Sequence, residues 1–152
     1  MSDALNIVNE CLIRITAITT ASGYQTNIGN AASIAERQYN FDEVTRNGAV
    51  NVFDTTDSNE DDETVGDEYI VRLDLNVEGH IRIEDNNPVI LAHSLLSDIK
   101  KAMLLANDRT MGGLVLDVRY SDREINYPES SGDIVSVRVG FYVLYTEDYG
   151  SP

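Results

Sequence analysis

Between Val135 and Tyr145 every second residue is large and apolar: Val135, Val137, Val139, Phe141, Val143 and Tyr145. A strict period of two over this length fits one backbone, an extended strand with one face in a core. The other face carries Ile134, Ser136, Arg138, Gly140, Tyr142 and Leu144, too apolar for a sheet face wholly open to water. A second run, Tyr69, Val71, Leu73, Leu75 and Val77, keeps its phase through Ile81 and Ile83 beyond Gly79. A two-residue hairpin at Glu78-Gly79 would move those isoleucines to the wrong face, so one bent strand is expected. Leu114, Leu116, Val118 and Tyr120 open a third strand that runs on through Ile125 to Tyr127. The turn chemistry of Pro128 to Gly132 joins it to the last strand as an antiparallel hairpin. Ala49 to Phe53 reads as a short further strand.

Two segments have helical period instead. In Ala4 to Ile18, the residues Ala4, Ile7, Val8, Cys11, Ile15 and Ile18 form one stripe, with Ser2 as N-cap, Gly23 as stop and Ile13 pointing away from the core. In the second, Asn87 caps and Pro88 suits the first turn. Leu91, Leu95, Leu96, Ile99, Ala102, Met103 and Ala106 then make an apolar face, and a Gly112-Gly113 stop follows. Ile90, Leu104 and Leu105 fall on the opposite side, either as a second packing surface or tucked under the following loop. Gly23 to Asn47 reads as a long excursion with isolated apolar residues such as Ile28, Ile34 and Phe41 and one short helical turn. The expected fold class is α+β: an antiparallel sheet of about four to five strands with two main helices packed on one face.

A chain of 152 residues is about one domain, and folding at this size buries roughly 68 to 70% of the unfolded surface. The lone Cys11 permits no intrachain disulfide and sits on the apolar stripe of the first helix, as a small buried hydrophobe would. The start has no secretory pattern and no apolar stretch approaches a membrane span, so a soluble, unsecreted protein in a reducing compartment is expected.

Net charge is -15, which disfavours sequence-specific nucleic acid as a partner because phosphate binding needs clustered Lys or Arg. Only Lys100 and Lys101 adjoin. The acid concentrates in Asp54, Asp57, Glu60, Asp61, Asp62, Glu63, Asp67 and Glu68, a run without a cation that reads as a solvated loop at about 54–68.

Catalytic constellations are missing from the pattern. His80 and His93 have no acid and nucleophile at a recognisable spacing, and neither a phosphate-binding glycine pattern nor zinc spacing occurs. The acidic run lacks the alternating Asp/Asn ligands, central Gly and closing Glu of a calcium loop. No enzyme, metal or cofactor is expected.

The region from Asn86 to Pro152 resembles the tail terminator and tail completion proteins of long-tailed bacteriophages. The likeness rests on the helix Leu91 to Ala106 with its Leu95, Asp98, Ile99 and Ala102 spacing and on the Gly112-Gly113 break. It continues in the Leu116-Asp117-Val118 strand, the Ser131-Gly132-Asp133 turn, and Val137 to Tyr145 before a Gly/Pro end. The resemblance implies a virion protein of the tail and neck that assembles in the host cytoplasm as a hexameric ring. Such a ring caps the tail tube, ends its polymerisation and docks to the head connector or neck protein, and to the sheath where the tail contracts. A ring needs two unlike complementary surfaces per subunit; Ile90, Leu104 and Leu105 on one side and Tyr142 and Leu144 on the other are the candidates. The contrasting reading is an acidic protein-binding module such as a DNA mimic that inhibits a DNA-binding enzyme. A small ligand-binding domain or hydrolase would need a pocket with convergent polar groups.

Overall fold

The computed structural model describes residues 2–34, 48–65, 68–105, 107–130 and 132–148, with the backbone alone for 31–34 and 60–65. Expectations for Phe41, Asp67, Ala106, Ser131 and the Gly/Pro end lie outside the described residues. The chain forms an α+β domain of five strands and two main helices. The strands are β1 (Ala32–Ile34), β2 (Ala49–Val65), β3 (Glu68–Arg82), β4 (Asp117–Asn126) and β5 (Ile134–Asp148). The helices are α1 (Asp3–Thr16) and α2 (Pro88–Met103). Across the sheet the order is β1-β2-β3-β5-β4, antiparallel throughout except for the short β1, which runs parallel to β2.

The alternating positions behave as their period demands. Val71, Leu73, Leu75 and Val77 of β3 and Val135 through Tyr145 of β5 are buried in one cluster with Ile7, Val8, Cys11 and Ile15 of α1 and Leu95, Leu96 and Ile99 of α2. Each such side chain contributes about 1.5 to 3 kcal/mol on leaving water. One strand runs through Gly79 as expected, with no hairpin, and pairing passes that residue without a register shift on either side. Gly79 serves the helix instead. A Cβ there would lie 3.0 Å from a Leu95 methyl, so the missing side chain lets α2 approach the sheet.

Both helices stop earlier than their apolar patterns suggest. Ser2 does cap α1, accepting from the Leu5 amide at 3.3 Å, but the helix closes at Ala17 rather than at Gly23. Thr19 is already extended, since Ile18 must turn inward to full burial, and Gly23 ends a separate 3-10 turn, Thr20–Ser22. Helix α2 begins as read: the Asn87 side chain accepts from the amides of Val89 and Ile90 at 2.9 and 3.3 Å. It ends at Met103, because the Arg14 guanidinium takes the Met103 carbonyl at 3.0 Å and the chain turns at Leu104. Gly112 and Gly113, with φ of 70 and 91, belong to a later left-handed turn. That turn delays β4 to Asp117, since Val115 is held back by its bond to the Thr110 carbonyl at 3.0 Å.

The acidic run is the main correction. It is strand over Asp54 to Val65, continuing β2, and not a loop. Asp54, Asp57, Ser58 and Asn59 pair with Leu75, Leu73, Arg72 and Val71 of β3. From Asp54 to Asn59 the side chains are exposed, so no alternating burial marks the strand in sequence. Main-chain pairing with β3 supplies the order that composition does not. The register then shifts between Asn59 and Thr64, leaving four residues, Glu60 to Glu63, opposite Ile70 alone. Replacing Glu60, Asp61, Asp62 and Glu63 together by Gln relieves repulsion among like charges at a break in the ladder. The expected result is an unchanged or raised thermal midpoint by circular dichroism; global unfolding would show that these positions are core.

Candidate interaction surfaces

Opposite the helices, the sheet presents the even-numbered residues of β3 and β5 together with Asp117, Arg119, Asp122 and Glu124 of β4. Thr56, Asp74, Tyr142 and Arg119 are successive partners in one row, and Ser58, Arg72, Leu144 and Asp117 make the next. The rows are knitted by charge. Thr56 donates to Asp74 at 3.0 Å, Asp74 holds Arg72 at 3.0 Å, and the Arg72 guanidinium lies 4.0 Å from the Tyr142 ring centre. Asp117 binds Arg119 at 3.0 Å and Arg109 at 2.9 Å. Although burial pushes its carboxyl upward, the hydrogen bonds from Arg119 and Arg109 hold it below the usual range.

Arg138 organises the lower half of this face. It pairs with Asp122 at 2.9 Å and Glu124 at 3.7 Å and donates to Asn76 at 2.8 Å. Its hydrogen bond depresses the Asp122 pKa. A bulge between Tyr120 and Asp122 swings the Asp122 carboxylate over Gly140, into the space a Cβ would occupy. The face read as too apolar to lie wholly open to water is therefore knitted by ion pairs, with Tyr142 and Leu144 half-buried among them. Tyr142 is covered by Arg72 rather than bare.

The other candidate set does not form one ridge. Ile90 is 65% exposed in the first turn of α2, whereas Leu104 and Leu105 lie past its end and are half-buried, Leu104 against the core. Fourteen residues of helix put Ile90 and Leu104 about 21 Å apart. Leu104 thus follows the tucked-under alternative. Asp54 and Asp57 are exposed and, with Thr55, Thr56, Ala4 and Leu73, line an open groove beside the start of α1.

Sequence reasoning missed the buried polar residues. Arg14, on α1, donates to the carbonyls of Met103 and Asp108 and pairs with the Asp108 carboxylate at 3.1 Å. Asp98, on α2, accepts from the amides of Gln25 and Thr26 at 2.9 and 2.7 Å and from the Thr26 hydroxyl at 2.7 Å. Both lie at apolar-stripe positions: Arg14 follows Cys11 by three and Ile7 by seven, and Asp98 sits between Leu95 and Ile99. A charged residue at such a spacing is the signal that could have found them. Cys11 is buried as read, and burial pushes its thiol up to about 12.

His80 lies on the open face with Nδ1 2.6 Å from the Ser136 hydroxyl, and burial lowers its pKa from the ordinary 6.5. Folding therefore favours the neutral ring, a contribution present above pH 6.5 and lost as pH falls through the lower folded value. Melts between pH 7 and 5 should fall less for His80→Gln than for the native chain; identical slopes would remove His80 from the account. Asp117 and Asp122, also depressed, act further down. Their contribution is present above the unfolded carboxyl value and is lost only as pH falls through the folded one.

Among the described residues no group of His, Cys, Asp or Glu is arranged to hold a metal ion, and no helix is long and apolar enough to cross a membrane. Comparison with family models and with curated proteins finds no match to this chain.

Proposed function

We propose that this chain is a structural virion protein that caps a phage tail tube, ends its polymerisation and forms part of the neck as a hexameric ring. The observation that carries the reading is a single sheet with two unlike ends. One end has the short β1 beside the acidic β2, and the other is β4, where Arg119 and Arg123 stand among Asp117, Asp122 and Glu124; two unlike surfaces per subunit are what cyclic assemblies close through. The sequence resemblance over Asn86 to Pro152 supplies the role of that ring. Tail tube protein meets one face and the head connector or neck protein the other, with the sheath as a further neighbour in a contractile tail. A net charge of -15 per subunit suits a conduit through which DNA slides without sticking.

One observation favours the DNA-mimic reading: Asp54 and Asp57 stand on a regular strand, as a phosphate-like row requires. The open face argues the other way, since Asp74, Asp117, Asp122 and Glu124 each hold an arginine and offer no row of unpaired negative charge. Light scattering on the purified chain separates the two. A mass near six times 16.8 kDa supports the ring, and a monomer or dimer supports the binding module.

A further inference from the structure

Strand β4 ends the sheet, and its residues 119–124 are all exposed. Val118, Tyr120, Arg123 and Ile125 stand opposite Val143, Phe141, Val139 and Val137, every second residue of β5, so their N–H and C=O groups all point the same way. Val118 shows which way that is. Its carbonyl accepts from Arg109 at 2.7 Å and its amide donates to the Asp117 carboxylate at 2.9 Å, neither of them on β5. The main-chain groups of Tyr120, Arg123 and Ile125 therefore point outward too, beyond the stretch that Arg109 caps, and they have no further partner among the described residues. An open ladder edge of this kind is what strand addition uses.

Charge decides what the edge fits. On the open face, Asp117, Arg119, Asp122 and Glu124 already hold partners within the chain. On the helix side, Arg123 has no ion pair among the described residues, nor has Lys100, whose ammonium lies 4.0 Å from the centre of the Tyr120 ring. The uncompensated charge beside the edge is thus positive, in a chain whose net charge is -15. A second β4 is a poor match. Antiparallel pairing that sets Arg119 against Glu124 also sets Arg123 of each copy against Tyr120 of the other, which gathers the Arg123 and Lys100 cations of both copies on one side.

We propose that the β4 edge takes an extended segment of another protein, in which an acidic residue stands between two apolar ones at every second position. The main chain of the segment pairs with Tyr120, Arg123 and Ile125, its carboxylate meets Arg123 and Lys100, and its apolar side chains lie against the Tyr120 ring and Ile125. The site goes beyond the ring reading and does not rest on it.

The probe is a fluorescent synthetic peptide with threonine at its odd places and valine, glutamate and valine at its even ones; a second peptide has lysine for the glutamate. Anisotropy titrations of the native chain should saturate with the glutamate peptide and show at least about tenfold weaker binding of the lysine peptide. Arg123→Glu, at an exposed position and checked for folding by circular dichroism, should reverse that preference. Bound glutamate peptide should slow hydrogen exchange at the amides of Tyr120, Arg123 and Ile125 by at least about tenfold. No saturable binding, equal binding of the two peptides by the native chain, or a preference that Arg123→Glu leaves unchanged would overturn the site. Slow exchange at those three amides without any peptide would assign the edge to a second copy of the chain and overturn it as well. The mass of the native chain tests the ring reading separately.

Discussion

Asp98→Ala should lower the unfolding free energy by about 3 to 5 kcal/mol, the largest effect expected of any single polar substitution here. The carboxylate is 2% exposed and accepts three hydrogen bonds, two from the amides of Gln25 and Thr26 and one from the Thr26 hydroxyl. Bonds to a charged acceptor contribute about 1.5 to 3 kcal/mol each, and removing the acceptor leaves the buried Thr26 donors unsatisfied. The contact is also the tie between α2 and the segment after α1, which carries the buried Ile28 back to the sheet. Thr26→Val removes one donor while keeping the branched shape, so it should cost only about 1 kcal/mol. Urea unfolding followed by circular dichroism measures both. A cost below about 1 kcal/mol for Asp98→Ala would mean that the segment is held by apolar packing alone.

Arg14→Ala comes next, at about 3 kcal/mol. The side chain is 3% exposed and closes the end of α2 by serving the Met103 carbonyl at 3.0 Å and the Asp108 carbonyl at 2.6 Å. Its ion pair with Asp108 contributes little, because that carboxylate is 41% exposed and water competes for it. Asp108→Ala should therefore cost under about 1 kcal/mol. Arg14→Lys should recover less than half of the loss, since one ammonium does not reproduce a planar fork aimed at two carbonyls. Equal costs for Arg14→Ala and Asp108→Ala would assign the stability to the ion pair instead.

These two residues also mark where the sequence stops being readable. Period alone exposes β3 and β5, because one face of each is buried and a single-residue slip would turn every apolar side chain outward. The starts of both helices are equally plain, since Ser2 and Asn87 act through bonds local to their own turn. What local pattern does not carry is any choice made by a distant partner. The Met103 end of α2 depends on Arg14, eighty-nine residues away in the chain. The strand character of Asp54 to Val65 depends on β3, and its acidity signals solvation whatever its backbone does. The three-residue β1 is too short to show a period.

The candidate surfaces were legible only in part. Tyr142 and Leu144 lie off the core face as their phase requires, yet the alternation gave no sign that Arg72 reaches over the Tyr142 ring. Leu104 was grouped with Ile90 by helical angle, which assumes that the helix continues; it ends one residue earlier.

The proposed role as a tail terminator is tested most directly by electron microscopy of particles made when the phage lacks the gene for this chain. The account predicts filled heads without tails, alongside tails that are overlong or headless. Tails of normal length joined to heads would contradict it.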